Sequence, residues 1–262
     1  MLLAIEHLTV EYGTGLHQVR AVDDASLTID SGQILGLVGE SGSGKTTLGL
    51  AITRLLPRPS ARIVSGAVQF QGRNLLALSE PELCRVRGGH VAYIFQEPST
   101  SLNPVMTVGE QLIEMLSLHT PLRGLAARAR AEELCKQVGI PAAVQRLHNY
   151  PHELSGGMKQ RIMIAMAIAA GPKLLVADEP TTALDVTLER QIVLLLKRLQ
   201  RELGLSLLVI SHSIPLVSQL AGRLAVMWQG RIVEEGPVQQ VLSAPVHDYT
   251  RRLLAAQPML TL

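Results

Sequence analysis

The segment that most constrains the fold of this chain is residues 39–46, with the sequence Gly-Glu-Ser-Gly-Ser-Gly-Lys-Thr. It fits G-x-x-x-x-G-K-[ST], the pattern of a phosphate-binding loop. The apolar run 34–38 before it predicts a buried strand, and residues 47–52 after it predict the first turns of a helix. Glycines allow successive backbone N–H groups to turn toward phosphate oxygens, and a helix start favours negative charge. This segment, called the P-loop below, is therefore predicted to bind the phosphates of a nucleotide.

The side chains of the P-loop suit this chemistry. Lys45 supplies a positive charge for the β- and γ-phosphates, and the hydroxyl of Thr46 can ligate Mg²⁺. Tyr12, upstream of the P-loop, is either an exposed ring that stacks on a base or a ring packed at a strand end. The predicted nucleotide-binding residues are Tyr12, Gly39, Glu40, Ser41, Gly42, Ser43, Gly44, Lys45, Thr46 and Thr47.

Composition narrows the class of protein. The 262 residues allow one large domain or two small ones, and the net charge of +2, spread along the chain, does not favour a nucleic-acid partner. Cys84 and Cys135 lack metal-ligand spacing, which predicts reduced thiols. The longest apolar helical stretch, 162–170, is too short to span a bilayer, and the N-terminus lacks the features of a signal peptide. We therefore expect a soluble protein that reaches a membrane only through a partner.

Four polar residues follow apolar runs that predict strands: Gln96, Asp178, Glu179 and His212. Alternating strands and helices predict an α/β fold with a parallel sheet, whose carboxyl edge is where ligands bind. Asp178 fits a carboxylate that helps to hold Mg²⁺, and Glu179 is placed to orient or deprotonate the attacking water. His212 is either a sensor of the γ-phosphate or an ordinary loop histidine.

Other patterns predict local structure. Ser79 with Glu82, and Thr107 with Glu110, form capping boxes that open helices. The segment 229–231 predicts a hairpin turn. Residues 97–153 contain no obvious strand and predict a separate helical lobe.

A second glycine-rich helix start lies at residues 154–157, Leu-Ser-Gly-Gly. A serine and two glycines at a helix N-terminus form an anion site. One ATP cannot use both this site and the P-loop within a single lobe. We therefore expect the second site to bind the ATP held by another subunit, with simple helix capping as the alternative.

Together these residues resemble the ATPase subunits of ABC transporters. The resemblance identifies residues 154–158 as the family signature, Thr182 to Asp185 as its D-loop, and Tyr12 as the adenine-stacking aromatic. It makes Gln96 the Q-loop glutamine, which joins Thr46 and Asp178 as a Mg²⁺ ligand. His212 becomes the switch histidine, which joins Glu179 and Gln96 in catalysis. The signature residues are Leu154, Ser155, Gly156, Gly157 and Met158, and Asp185 is the D-loop carboxylate.

The resemblance implies a P-loop NTPase (RecA-like) fold with a parallel-sheet core, an N-terminal antiparallel β subdomain and an inserted α-helical subdomain. The whole chain, 1–262, would be one ATPase domain, with 1–96 and 159–262 as the core and about 97–158 as the helical part. Its ligands would be ATP and Mg²⁺. Its partners would be a second ABC ATPase subunit, bound head to tail, two integral-membrane permease subunits and an extracytoplasmic substrate-binding protein. The protein would lie peripherally on the cytoplasmic face of the plasma (inner) membrane.

A narrower resemblance points to peptide and nickel importers. It is carried by residues 95–104, 150–158 and 244–250, the last reading Ala-Pro-Val-His-Asp-Tyr-Thr. Oligopeptide members commonly add a cysteine-bearing C-terminal extension, and this sequence stops at Leu262 without one. The resemblance therefore favours nickel or a metal chelate as the cargo, with dipeptides or oligopeptides as the alternative. Ser213 follows His212 where the family usually has Asp, and we do not expect this to abolish hydrolysis.

Two other classes compete with the importer. A soluble ABC ATPase of DNA repair or translation needs a long coiled-coil insert or a second tandem cassette, and the sequence has neither. A nucleotide-binding switch that no longer hydrolyses should have lost Glu179 or His212, and both are present.

Overall fold

The structure, a computed structural model, describes residues 1–13, 18–182 and 184–256, and for Ser99 the backbone alone. The strands are β1 Leu3–Tyr12, β2 Val19–Ile29, β3 Ile34–Val38, β4 Ala61–Phe70, β5 Arg73–Asn74, β6 Val91–Ile94, β7 Leu174–Asp178, β8 Ser206–Ser211, β9 Arg223–Trp228 and β10 Arg231–Pro237. The helices are α1 Lys45–Ile52, α2 Glu80–Val86, α3 Pro98–Ser101, α4 Val108–His119, α5 Gly124–Gln137, α6 Ala143–Arg146, α7 Gly156–Ile168, α8 Val186–Leu203, α9 Ile214–Leu220, α10 Val238–Ser243 and α11 Asp248–Ala255. Contacts group the chain into two compact units, the first made of Met1–Leu83 with Ser206–Leu262 and the second of Cys84–Leu205.

The first unit contains an antiparallel sheet with the strand order β2-β1-β4-β5. The end of β2, from Ala25 to Ile29, alternates in burial, because one face packs on a core and the other faces solvent. This is the N-terminal antiparallel β structure that the resemblance implies.

The same unit contains a second sheet, in which β3 lies between β8 and β9 and pairs in parallel with both. Every residue of β3 and β8 is buried, as expected for parallel strands covered on both faces. The hairpin partner β10 pairs with β9 in antiparallel fashion across the turn at Gln229 and Gly230, both of which have positive φ. The predicted hairpin is thus confirmed.

The second unit pairs β6 with β7 in parallel and contains the helices α3 to α8. Its described residues between 97 and 153 form helices and turns without a strand, as the sequence predicts. The proposed division at residues 97 and 158 stays a prediction.

The helix starts predicted at Ser79 and Thr107 are both confirmed, and at Thr107 both bonds of the capping box are present. The Thr107 hydroxyl accepts from the backbone N–H of Glu110, and the Glu110 carboxylate accepts from the N–H of Thr107. The Ser79 N–H and hydroxyl both donate to Glu82 at the start of α2. The thiols of Cys84 and Cys135 are both free.

The sequence pattern also predicts a strand over 65–72, a helix over 189–203 and a helical C-terminal part to about Ala255, and the structure changes each of these boundaries. The strand β4 begins at Ala61, not at Ser65, because pairing with β1 continues to the Tyr12–Ala61 position, where the sequence gives no signal. The helix α8 begins at Val186, not at Glu189, because Asp185 caps it. The predicted C-terminal helix is two helices, α10 and α11. In the part of the chain that the structure describes, no helix has the length and apolar character needed to cross a membrane.

Candidate functional site

The P-loop connects the end of β3 to α1, and two of its glycines have no room for a side chain. A Cβ atom on Gly39 would lie 2.2 Å from the carbonyl oxygen of Met227. Gly44 has φ of 105° and caps α1, and a Cβ atom there would lie 2.2 Å from the carbonyl oxygen of Ala21. Glycine at these positions therefore permits the close approach of the loop to the strands around it.

Lys45, the first residue of α1, is buried with 6% of its surface exposed. Its ammonium group donates to the carbonyl oxygens of Gly39 and Glu40, both at 2.8 Å, and to the Ser43 hydroxyl at 3.3 Å. The positive charge is thus held over the loop by the loop's own backbone. A group held in this way needs little reorganisation to meet a phosphate.

Tyr12 is the last residue of β1 and is half-buried. Its phenol oxygen accepts a hydrogen bond from the Thr47 hydroxyl at 3.5 Å, which brings it to the first turn of α1. Thr46 is exposed. The sequence also predicts a turn at Gly13 and Gly15, and Gly15 lies outside the described residues.

His212 leaves its strand at the same edge as the P-loop. Val38 of β3 is paired with Ser211 of β8 in parallel. Gly39 follows Val38 and His212 follows Ser211, so both residues lie at the carboxyl ends of neighbouring strands. Ser213, which departs from the family pattern, caps α9 by accepting from the N–H of Leu216 at 3.4 Å. The departure therefore has a structural role here.

In the second unit, Gln96 and the two carboxylates follow neighbouring parallel strands. Ile94 of β6 is paired with Ala177 of β7, so the residues after them leave the strands at one edge. Asp178 is buried with 2% exposed, whereas Glu179 is half-buried and Gln96 exposed.

Asp178 has a partner that sequence reasoning missed. The Tyr93 hydroxyl donates to Asp178 Oδ2 at 2.8 Å. Burial, together with the negative charge of Asp178, raises the pKa of Tyr93, so the phenol stays a neutral donor. No local pattern signalled this contact, because Tyr93 lies inside the apolar run 91–95 that predicts a strand.

Glu179 has φ of 49°, a left-handed conformation that is costly for a residue with a side chain. Thr182 stabilises it by donating from its N–H to the Glu179 carbonyl at 3.1 Å and from its hydroxyl to Oε2 at 3.3 Å. Non-glycine residues in such conformations cluster at functional sites.

The signature segment, residues 154–158, starts α7. Ser155 is exposed, and its hydroxyl accepts from the N–H of Met158 at 3.3 Å. Gly156 is exposed, whereas Gly157 is buried against Leu188, whose methyl groups would lie 3.2 Å from an added Cβ atom. The start of α7 is therefore capped by Ser155 and packed at Gly157, and it is open to solvent at Gly156.

The D-loop leads into α8, where the Asp185 side chain accepts from the N–H of Leu188 at 2.9 Å. Ala183 lies outside the described residues. The P-loop, Tyr12 and His212 thus belong to the first unit, and the remaining predicted site residues belong to the second.

Comparison with known proteins agrees with this arrangement. The ABC transporter family profile matches residues 22–182. The oligopeptide transport ATP-binding protein OppD of Bacillus subtilis is 46% identical over 259 residues, which are 99% of this chain and 72% of that protein. The dipeptide transport ATP-binding protein DppD of Escherichia coli is 47% identical over 98% of this chain and 78% of its own length. The solved ATP-binding cassette MJ0796, dimeric in a post-hydrolysis state with ADP and phosphate, has 28% identity and a TM-score of 0.80, covering 90% of this chain and 99% of that one.

The chain belongs to the ABC transporter family. The sequence-based predictions of an α/β P-loop fold and of an ABC-type ATPase are thereby confirmed. The individual roles assigned to the site residues stay predictions.

Proposed function

We propose that this chain is the ATP-hydrolysing subunit of a membrane importer for dipeptides or oligopeptides. The observation that carries the ATPase role is the P-loop with its buried, preplaced Lys45. The cargo rests on the relatives, which are named for oligopeptide and dipeptide transport. These names favour the peptide alternative over the nickel preference.

The proposed site binds ATP through its phosphates. The N–H groups of the P-loop and the ammonium of Lys45 meet the phosphate oxygens, and Tyr12 stacks on the adenine. Thr46, Gln96 and Asp178 offer hydroxyl, amide and carboxylate oxygens, the hard donors that suit Mg²⁺. When bound, Mg²⁺ neutralises charge on the β- and γ-phosphates.

Hydrolysis then needs a base and a group that responds to the γ-phosphate. Glu179 accepts a proton from the attacking water, whose oxygen bonds to the γ-phosphorus as the bond to the bridging oxygen breaks. His212, at the edge of the sheet where the P-loop begins, donates a hydrogen bond to the γ-phosphate. The positive φ of Glu179 is consistent with a carboxylate held in one direction for this purpose.

The proposed assembly contains a second ABC ATPase subunit, two permease subunits and an extracytoplasmic binding protein. The dimeric state of the MJ0796 cassette supports the ATPase pair. The chain would lie on the cytoplasmic face of the inner membrane, held there by the permeases.

Transport assays in a deletion strain test the proposal. Uptake of a labelled dipeptide and of ⁶³Ni²⁺ is measured with the parental gene and with Glu179→Gln restored in its place. We expect the parental gene alone to restore dipeptide uptake. Restoration of ⁶³Ni²⁺ uptake without dipeptide uptake would return the cargo to nickel, and recovery of neither would contradict the importer.

A further inference from the structure

The segment 244–250, which the nucleotide site does not use directly, reaches the P-loop through one side chain. The phenol oxygen of Tyr249, in the first turn of α11, accepts a hydrogen bond from the backbone N–H of Glu40 at 3.0 Å. Both residues belong to the first unit. We infer that Tyr249 is a positioning residue of the nucleotide site, which sets the direction of the Gly39–Glu40 peptide group and so the shape of the P-loop; this rests on the proposed role of the P-loop in binding ATP.

The peptide group that joins Gly39 to Glu40 is held on both sides. Its carbonyl oxygen, that of Gly39, accepts from the Lys45 ammonium at 2.8 Å. Its N–H, that of Glu40, is held from outside the loop by Tyr249. Because Lys45 donates to the carbonyl of this same peptide group, a rotation of the group would also move the ammonium that is proposed to meet the phosphates.

Tyr249 is itself rigidly placed. It is 3% exposed, and its ring stacks on Trp228 with centroids 5.4 Å apart and an interplanar angle of 22°. The backbone N–H of Tyr249 donates to His247 Nδ1 at 3.1 Å, which caps α11. Burial raises the pKa of the phenol, so the hydroxyl stays neutral at physiological pH.

The start of α11 is anchored in turn to β10. Glu234 accepts from the N–H groups of Val246 and His247 at 2.8 and 2.9 Å. The turn that follows β9 adds a second support, because the Gly230 N–H donates to the Ser43 carbonyl at 2.9 Å. The β9–β10 hairpin and α11 therefore form one outer wall of the loop, and Tyr249 is the side chain through which α11 contacts it.

The test removes one oxygen atom. Tyr249→Phe keeps the ring and its stacking on Trp228 but leaves the Glu40 N–H without this acceptor. Loss of one such bond corresponds to an increase of about three- to tenfold in the Kd for Mg·ADP, measured by titration calorimetry on the full chain. Hydrogen exchange at the Glu40 amide should also become about three- to tenfold faster without nucleotide.

Two other variants make the result specific. Tyr150→Phe removes a hydroxyl from an exposed ring in the second unit and should match the parental protein in both measurements. Lys45→Ala tests the P-loop assignment independently. Weaker ADP binding in Lys45→Ala, with Tyr249→Phe equal to the parental protein, would overturn the role of Tyr249 and leave the proposed function standing.

The remaining outcomes also decide the question. Unchanged ADP affinity in Lys45→Ala would overturn the phosphate site and the inference with it. Weaker binding in Tyr249→Phe without faster exchange at Glu40 would assign the loss to general packing, and it would overturn the inference. Faster exchange together with weaker binding, absent in Tyr150→Phe, is the result we expect.

Discussion

The two glycine-rich helix starts differ in how fully the chain itself surrounds them. At the P-loop, Gly39 and Gly44 lie against backbone carbonyls, and Lys45 is buried within the loop. At the signature, Ser155 and Gly156 are exposed, and an added Cβ atom on Gly156 would meet one methyl group at 3.9 Å. Similar residue types thus produce one enclosed helix start and one open helix start.

The difference supports the proposal that a single chain carries two sites for one kind of ligand. An enclosed site with its own cation can bind phosphate by itself. An exposed helix start offers backbone N–H groups and the positive end of the helix dipole. In α7 the Ser155 hydroxyl accepts from one of these N–H groups, that of Met158. This is the arrangement expected if the signature completes a nucleotide site in a second subunit, as the proposed ATPase pair requires.

The largest expected effect comes from a variant that should hold the two sites together. Glu179→Gln keeps the shape of the side chain but removes its basicity, so hydrolysis should slow by about 10²- to 10⁴-fold while ATP still binds. With ATP, the variant should elute as a dimer in size-exclusion chromatography. Glu202→Gln, at an exposed carboxylate of α8, is the matched control. Parental turnover in Glu179→Gln would show that this carboxylate is not the base.

The next largest effect is on the affinity for ATP, which should depend on the lysine of the P-loop and not on the lysine of the signature helix. Lys45→Ala should raise the Kd for ATP by about 10- to 100-fold, because a charge-assisted contact is lost. Lys159→Ala removes a half-buried lysine from the first turn of α7 and should leave the affinity unchanged. Equal losses in a nucleotide titration would contradict the division into an enclosed site and an open one.

Much of the enclosed site could be predicted from sequence. The P-loop pattern is local, since one strand, one loop and one helix start contain all its parts. The carboxyl-edge residues were also predictable, because parallel strands end at the same edge of a sheet, as the pairs Val38 with Ser211 and Ile94 with Ala177 do. Local pattern and parallel topology were sufficient in both cases.

The supporting contacts could not be predicted in this way. Tyr93 donates to Asp178 across 85 positions of the chain, and Tyr249 accepts from Glu40 across 209. Neither tyrosine has a neighbour in sequence that signals the contact. The displaced starts of β4 and α8 have a related cause, because pairing with β1 and capping by Asp185 override the local pattern.

A smaller effect on stability, with a large effect on activity, is expected at Ser155. Ser155→Arg should lower the free energy of unfolding by about 0.5–2 kcal/mol through loss of the cap, and its specific ATPase activity should not rise with protein concentration. Ser155→Asp keeps a good cap but places a negative charge where a phosphate should bind. It should therefore unfold like the parental protein in urea, yet its specific ATPase activity should also not rise with protein concentration.

These two substitutions separate capping from anion binding. If Ser155 only caps α7, Ser155→Asp should behave as the parental protein in both assays. A flat dependence of activity on concentration in the parental protein would rule out a site shared between subunits.

The last expected effect is at Gly156, and it tests the open side of the signature directly. Gly156→Ala places its methyl group in ordinary contact distance of Leu184, and alanine is favoured over glycine in a helix by about 0.5–1 kcal/mol, so the free energy of unfolding should not fall. Gly157→Ala is the contrasting case, because its methyl group would press on Leu188 at 3.2 Å and overpacking costs about 1–3 kcal/mol. If a partner's phosphate approaches the backbone at Gly156, the alanine should lower the ATPase rate at high protein concentration and leave the rate at low concentration unchanged. A stable Gly156→Ala variant with the full parental rise would mean that no ligand comes close to this surface, and the two helix starts would then differ in function as well as in enclosure.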